Sequence, residues 1–380
     1  MIYLDNNATT RVLPEVLETM LPFYNELWAN PASLHRFGSQ VAPHLDKGRE
    51  QVAALIQAQR ASEIIFTSGG TESNNLAIRG VLQATPAKRH IVTTQVEHSS
   101  VLMLCQQLEK EGYEVTTLPV DKNGELKTAD VEAACKENTA LVTLMWANNE
   151  TGVIFPIEAI SKICATKNIL SHVDATQAVG KTVIDLRKTP VDLLSISGHK
   201  FHAPKGIGAL YLKRGTKLAA QMIGGSHERG RRAGTQNVAG IVGLGKAAEL
   251  ARQRLEQNIF TSVQTLRNRL EEKLLIQFKE MQINGRAAAR LPNTSSLSFE
   301  GIEGETVCLL LSEEGIAAST GAACSAGSLE PSHVLKAMGV LPKKARGTVR
   351  ISLSFETQAQ EIEQTATALT KIILHLSRSS

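Results

Sequence analysis

Ala140-Leu-Val-Thr-Leu-Met-Trp146, then Ile157-Glu-Ala-Ile-Ser-Lys-Ile-Cys-Ala-Thr-Lys-Asn168, then Leu170-Ser-His-Val-Asp174: an almost wholly apolar run, a stretch with apolar residues at helical spacing, and a second short apolar run. The outer two read as strands buried on both faces, and the middle one as the helix that joins them. The same alternation extends in both directions. Strand-like runs at Glu63–Thr67, His90–Thr94, Val115–Pro119, Leu193–Ser197 and Ile207–Leu212 are separated by helix-like stretches such as Glu72–Leu82, Val101–Gly112 and Ala129–Cys135. Strand and helix in turn predict an α/β fold with a mostly parallel sheet covered by helices.

A chain of 380 residues is too long for one compact core, so two domains are expected. Beyond Asn237 the pattern changes. Ile241 to about Glu280 is amphipathic and reads as two helices, or as one long helix linking domains. Strand-like runs (Thr294–Phe299, Val349–Phe355) and helical ones (Thr306–Glu314, Thr357–Ser377) follow. This predicts a large domain over residues 13–258 and a smaller α+β domain over 259–380, to which residues 1–12 return.

Composition excludes several classes of function. A net charge of +4 over this length is too weak for a nucleic-acid or anionic-membrane surface, and aromatic residues, at 4%, are too few for base stacking. The longest apolar stretches, such as Ala140–Ala147, fall far short of the roughly 20 residues that span a bilayer. The opening MIYLDNNATT has neither the basic nor the apolar region of a secretory signal, so a cytoplasmic protein is expected. The five cysteines (105, 135, 164, 308 and 324) are odd in number and contain no CxxC, which argues against a disulfide framework or a zinc site.

Ligands of such sheets gather where the strands end. Thr67-Ser-Gly-Gly-Thr71 places glycines between a strand and a helix, either a tight turn capped by Thr71 or an anion cradle. His98 opens a helix, a position more often filled by a capping residue than by a catalyst. Asn148-Asn149-Glu150 is either an Asx turn or a ligand shell. Asp174 closes an apolar strand and must be hydrogen-bonded or charge-paired if buried. Lys200 follows a strand among small residues, where desolvation would make its amine a nucleophile. Together these are the parts pyridoxal phosphate needs: an amine for its aldehyde, a carboxylate for its pyridine nitrogen, and a helix N-terminus for its phosphate.

The chain resembles cysteine desulfurases of the NifS/IscS type, within the aspartate-aminotransferase-like, fold type I enzymes of the class V aminotransferase family. The resemblance runs from Tyr3-Leu-Asp-Asn-Asn-Ala-Thr-Thr10 to Thr348-Val-Arg350-Ile-Ser352. It includes Asn30-Pro-Ala-Ser-Leu-His35, Gly230-Arg-Arg-Ala-Gly-Thr235 and Ser319-Thr-Gly-Ala-Ala-Cys324-Ser-Ala-Gly-Ser-Leu-Glu-Pro-Ser-His333. Met145-Trp-Ala-Asn-Asn-Glu-Thr-Gly152 looks more like the nitrogen-fixation branch than the housekeeping one.

The resemblance implies that Lys200 binds the cofactor aldehyde and removes the substrate α-proton. Asp174 pairs with the pyridinium nitrogen, Gln177 contacts the ring hydroxyl, and His98 stacks on the ring and, as a catalytic residue, shuttles protons. Gly70, Thr71, Ser197 and His199 hold the phosphate. Asn149 stands near the ring hydroxyl and the substrate carboxylate, which Arg350 clamps. Thr235 serves the phosphate of a neighbouring subunit, which implies a homodimer. Cys324 attacks the substrate sulfur as a thiolate; L-cysteine becomes L-alanine and the sulfur passes from a Cys324 persulfide to an iron–sulfur scaffold protein, or to tRNA-thiolation carriers. No metal of its own is implied, only transient iron–sulfur ligation by Cys324 with the scaffold. A selenocysteine lyase or a cysteine sulfinate desulfinase would share every cofactor residue, and a non-catalytic iron–sulfur assembly partner is the alternative from another class.

The residues around each cysteine bear on that assignment. Cys105, Cys164 and Cys308 have apolar neighbours at helical spacing and read as buried, inert thiols; Cys135 ends a helix-like stretch and reads as structural. Around Cys324, positions 319 to 328 otherwise hold only Gly, Ala, Ser and Thr, which predicts a mobile loop able to carry a travelling thiol.

Overall fold

A computed structural model describes residues 1–321 and 331–379. In chain order the strands are β1 (Ile2–Tyr3), β2 (Ile64–Thr67), β3 (His90–Thr94), β4 (Glu114–Leu118), β5 (Thr139–Met145), β6 (Leu170–Asp174), β7 (Leu193–Ser197), β8 (Gly208–Leu212), β9 (Gln282–Ile283), β10 (Thr294–Ser298), β11 (Ile316–Ala317) and β12 (Thr348–Ser352). The seven strands β2 to β8 form one sheet in the order β2-β8-β7-β6-β5-β3-β4. Neighbours from β7 to β4 pair in parallel, whereas β8 runs antiparallel to both β7 and β2. Because β2 is reversed twice relative to β7, Thr67 ends at the same edge as Met145, Asp174 and Ser197.

Both faces of this sheet are covered, which explains its near-continuous apolar strands. Adjacent residues point to opposite faces: Leu141 and Leu193 pack with Leu76, Ile78 and Val81 of the helix Gly70–Ala84, while Val142 and Leu194 join the larger core on the other side. The edge strand β4 exposes Glu114 and Thr117, leaving a polar rim unsuited to further pairing.

The amphipathic run after Asn237 folds as two helices, Val238–Glu256 and Phe260–Gln277, broken at Asn258, which takes φ 55°. The first packs against the helix Ala42–Leu55, and a Cβ on Gly245 would lie 2.5 Å from the Cα of Gly48. No side chain fits at that crossing, which explains two glycines inside otherwise regular helices.

A second core forms around Leu4, Leu270, Leu297, Val307, Ile351 and Leu369. It backs an antiparallel sheet of order β12-β10-β9, with the helices Phe260–Gln277, Gly304–Glu313 and Ala359–Ser379 around it. This is the smaller α+β domain. The N-terminal segment returns to it, since β1 pairs in parallel with β11 and Asp5 bridges to Ser352. Val334, Leu335 and Met338 pack instead into the larger core. Among the described residues no helix is long and apolar enough to cross a membrane.

Candidate active site

The turn after β2 carries the anion cradle. Gly69 takes φ 156° and ψ −174°, a conformation essentially reserved for glycine. Its neighbour Gly70 starts a 15-residue helix whose first amides have no carbonyl before them. A Cβ on Gly70 would approach Thr176 Oγ1 to 2.9 Å and Ser197 Cβ to 3.3 Å. Thr176 Oγ1 is buried and has no hydrogen-bond partner among the described residues. A helix N-terminus whose opening glycines put no Cβ between its amides and the hydroxyls of Thr176 and Ser197 is chemically suited to a phosphate. Thr71 is exposed beside it. His199 touches Thr9 Oγ1 through Nδ1 at 3.1 Å. Burial, together with the charges of Lys200, Lys205 and Lys181, pulls its pKa down to about 4, so it stands neutral.

Asp174 ends β6 and is buried, yet its carboxylate is satisfied. Oδ1 accepts from the Thr176 amide at 3.0 Å, and Oδ2 accepts from Asn74 Nδ2 at 2.8 Å. The same Asn74 amine donates to Ser100 Oγ at 2.9 Å. Ser100 Oγ therefore turns its own proton to His98 Nδ1, 2.8 Å away, and the Ser100 main-chain amide also donates to that nitrogen at 3.1 Å. With two donors on Nδ1, neutral His98 carries its proton on Nε2. His98 is thus both the cap of the helix Ser99–Lys110 and a member of the site. Burial lowers its pKa, Lys200 and His333 add to the effect, and Asp174 opposes it.

Lys200 follows β7 in a short 3-10 turn, and its Nζ donates to the carbonyls of Asn7 and Ala8, both at 2.8 Å. Gln177 Nε2 donates to the same Asn7 carbonyl at 2.9 Å. A small cavity of about 20 Å³ lies behind Lys200, lined also by Asn6, Thr10, Lys181 and Phe355.

The Asn148–Glu150 turn combines both readings of its sequence. Asn148 makes the Asx turn, its Oδ1 accepting from the amides of Glu150 and Thr151. The Asn149 carbonyl accepts from Arg350 Nη1 at 3.0 Å and from Asn7 Nδ2 at 3.2 Å. Arg350 is buried in β12, with Nη2 paired to Asp5 Oδ1 at 2.8 Å and Nη1 also reaching the Gly321 carbonyl at 3.3 Å. Among the described residues its buried Nε has no hydrogen-bond partner.

Hydrogen bonds and packing thus connect most of the candidates, from Gly70 and Ser197 through Asp174 and His98 and from Lys200 through Gln177 to Asn149 and Arg350. Thr235 is exposed on the segment after Gly230 and makes no hydrogen bond to them. Cys324 lies outside the described residues. Burial raises the pKa of each of the other four thiols, to about 12 for Cys105, Cys164 and Cys308, so they remain protonated at neutral pH. Asn74, Ser100, Thr176 and Lys181 were not legible as site residues. The available signals were weak: Asn74 lies four residues after Gly70, and Lys181 four after Gln177.

An amine, a held carboxylate and a glycine-opened helix N-terminus at one sheet edge are the parts of a pyridoxal phosphate enzyme. The class-V aminotransferase family matches residues 2–365. A cysteine desulfurase of Trichormus azollae is 51% identical over 99% of this chain and 94% of its own length. The cysteine desulfurase NifS of Azotobacter vinelandii is 49% identical over 100% of this chain and 94% of its own. A solved NifS-like protein superimposes with a TM-score of 0.91 at 41% identity, covering 99% of both chains. The chain belongs to the class-V aminotransferase family, whose cofactor is pyridoxal phosphate, and stands among its cysteine desulfurases.

Proposed function

We propose that the chain is a cysteine desulfurase that converts L-cysteine to L-alanine and passes the sulfur, by way of Cys324, to an iron–sulfur scaffold protein. The observation that carries this reading is the convergence of Lys200, the Asn74-held Asp174 and the Gly69–Gly70 cradle at one edge of the sheet. Bound there, pyridoxal phosphate supplies an electron sink for the substrate α-carbon. Asp174, oriented by the Thr176 amide and Asn74, would face the pyridine nitrogen and hold its proton there. Lys200 Nζ would hold the cofactor and serve as the base for the α-proton. Neutral His98 has Nε2–H to donate. Arg350, whose Nε has no partner among the described residues, receives the substrate carboxylate beside Asn149. The substrate C–S bond then breaks, an S–S bond to the Cys324 thiolate forms, the substrate Cβ takes a proton, and Lys200 returns the α-proton to complete alanine. The high pKa values of the other thiols support Cys324 as the carrier.

The chain acts as a cytoplasmic homodimer in which Thr235 reaches the phosphate of the partner's site; its exposure in one chain supports this. The resemblance to the nitrogen-fixation branch favours a scaffold of that pathway as acceptor.

Borohydride reduction of the yellow holoenzyme followed by peptide mapping tests the core of the reading. The label should fall on Lys200, and a label on Lys205 would overturn the assignment. Cys324→Ala should keep the colour and lose alanine formation from cysteine. Retained turnover with selenocysteine alone would point to a lyase, and a wild-type chain that stays colourless with added cofactor would point to a non-catalytic assembly partner.

A further inference from the structure

Lys181 is a buried cation that the proposed chemistry does not use. It is 6% exposed, and among the described residues it forms no ion pair. Its Nζ donates to Gln177 Oε1 at 2.6 Å and to Asn7 Oδ1 at 3.1 Å. Burial, with the neighbouring charges of Lys200 and Arg350, brings its pKa well below the usual lysine value. The amine has a proton for each of these oxygens.

The surrounding bonds fix which atom of each amide faces Lys181. Asn7 Nδ2 donates to the Asn149 carbonyl, which can only accept, so Oδ1 lies on the other side, where Asn293 Nδ2 also reaches it at 3.0 Å. Gln177 Nε2 donates to the Asn7 carbonyl, and that carbonyl also receives Lys200 Nζ. Gln177 is therefore held at both ends, its oxygen by Lys181 and its NH2 group at the point where Lys200 ends.

We propose that Lys181 is a positioning residue for the cofactor pocket: its Nζ pins the Gln177 amide with the NH2 group on the Lys200 side, as a donor to an oxygen of the bound cofactor. This rests on the proposed function, because Gln177 needs that orientation only if a cofactor oxygen arrives. Without Lys181, Gln177 Oε1 is an unpartnered buried acceptor, and the amide has no reason to keep its orientation.

The test is a double-mutant cycle on the full chain, stripped of cofactor and titrated with pyridoxal phosphate. Wild type, K181M, Q177A and the double variant are compared by dissociation constant and by the pH midpoint of the visible absorption band. Circular dichroism and thermal melting show that each is folded. K181M should weaken cofactor binding about tenfold and shift the midpoint, but by less than about twofold in the Q177A background, because the two residues act as one unit. A folded K181M that binds and titrates like wild type overturns the proposal. So do losses that simply multiply in the double variant, since Lys181 would then act independently of Gln177. K181Q, whose amide can still donate to Gln177 Oε1, should bind the cofactor more tightly than K181M; an equal loss in both folded variants overturns the proposal. A wild-type chain with no visible band after titration overturns the cofactor reading itself; a coloured wild type with an unaltered K181M overturns only the role of Lys181.

Discussion

Asn74 Nδ2 lies 2.8 Å from Asp174 Oδ2, joining a helix to a strand end across 100 positions of sequence. The same nitrogen reaches Ser100 Oγ, so one amide sets both the carboxylate and, through Ser100, the tautomer of His98. Asn74 Oδ1, by contrast, is buried without a partner among the described residues. Asn74 is placed for what its amine donates.

Asn74→Ala should therefore lower kcat for alanine formation while leaving KM for cysteine nearly unchanged. Losing a hydrogen bond to a charged group costs about 1.5–3 kcal/mol, or roughly 10–100-fold in rate. The His98 imidazole resonances should also titrate at higher pH, since Ser100 Oγ is freed to accept from a protonated Nδ1. Unchanged kcat with an unmoved His98 titration would refute this role.

Glu97 makes stability depend on pH. Burial raises its pKa to about 8, with Asp174 adding and the Thr94 hydroxyl and Met145 amide opposing. The unfolded chain gives up this proton near 4.5 while the folded chain keeps it. The contribution is thus fully present below about pH 4.5 and is lost as pH rises through about 8. Glu97→Gln cannot titrate. Its urea midpoint should gain on that of wild type as pH is raised across this window, and curves that stay parallel would contradict the assignment.

Arg49 and Glu228 form a buried bidentate pair at 2.7 and 2.9 Å. It ties the segment that leads to Thr235 against β2, where the Phe66 amide also donates to Glu228 Oε2 at 3.0 Å. Glu228→Ala strands the guanidinium and should cost about 3–5 kcal/mol in equilibrium unfolding. The double replacement of Arg49 and Glu228 by Met should cost less than Glu228→Ala alone, because it leaves no buried charge. A loss below about 1 kcal/mol for Glu228→Ala would mean that water solvates the site.

The dimer prediction uses two inactive variants, Thr235→Asp and Lys200→Ala. If each site borrows Thr235 from its neighbour, a mixed dimer has one site with both defects and one with neither, so co-expression should restore up to about half the activity per mixed dimer. Mixed dimers that form, shown by differential tags, but stay inactive would mean that each site is built within one chain.

Much of the fold was legible because its signals are local. All seven strands of the large sheet fall within a residue or two of the runs read from apolar patterning, since a strand buried on both faces writes that burial into consecutive residues. Lys200, Asp174 and the Gly69–Gly70 turn were legible for a related reason: polar or glycine residues directly after such runs interrupt the pattern where ligands collect.

By itself, then, the sequence determined the alternation of strand and helix, the polar residues at the strand ends and the inert surroundings of Cys105, Cys164 and Cys308. Tertiary structure alone decided the order β2-β8-β7-β6-β5-β3-β4, the pairing of Arg350 with Asp5, and the placement of Asn7, Asn74, Ser100 and Lys181 around the site. Periodicity records whether a residue is buried, not which distant residue it meets. A buried amide or ammonium is satisfied by whichever donor or acceptor the folded chain brings within about 3 Å, and for Asn7 and Lys181 that partner is 174 residues away.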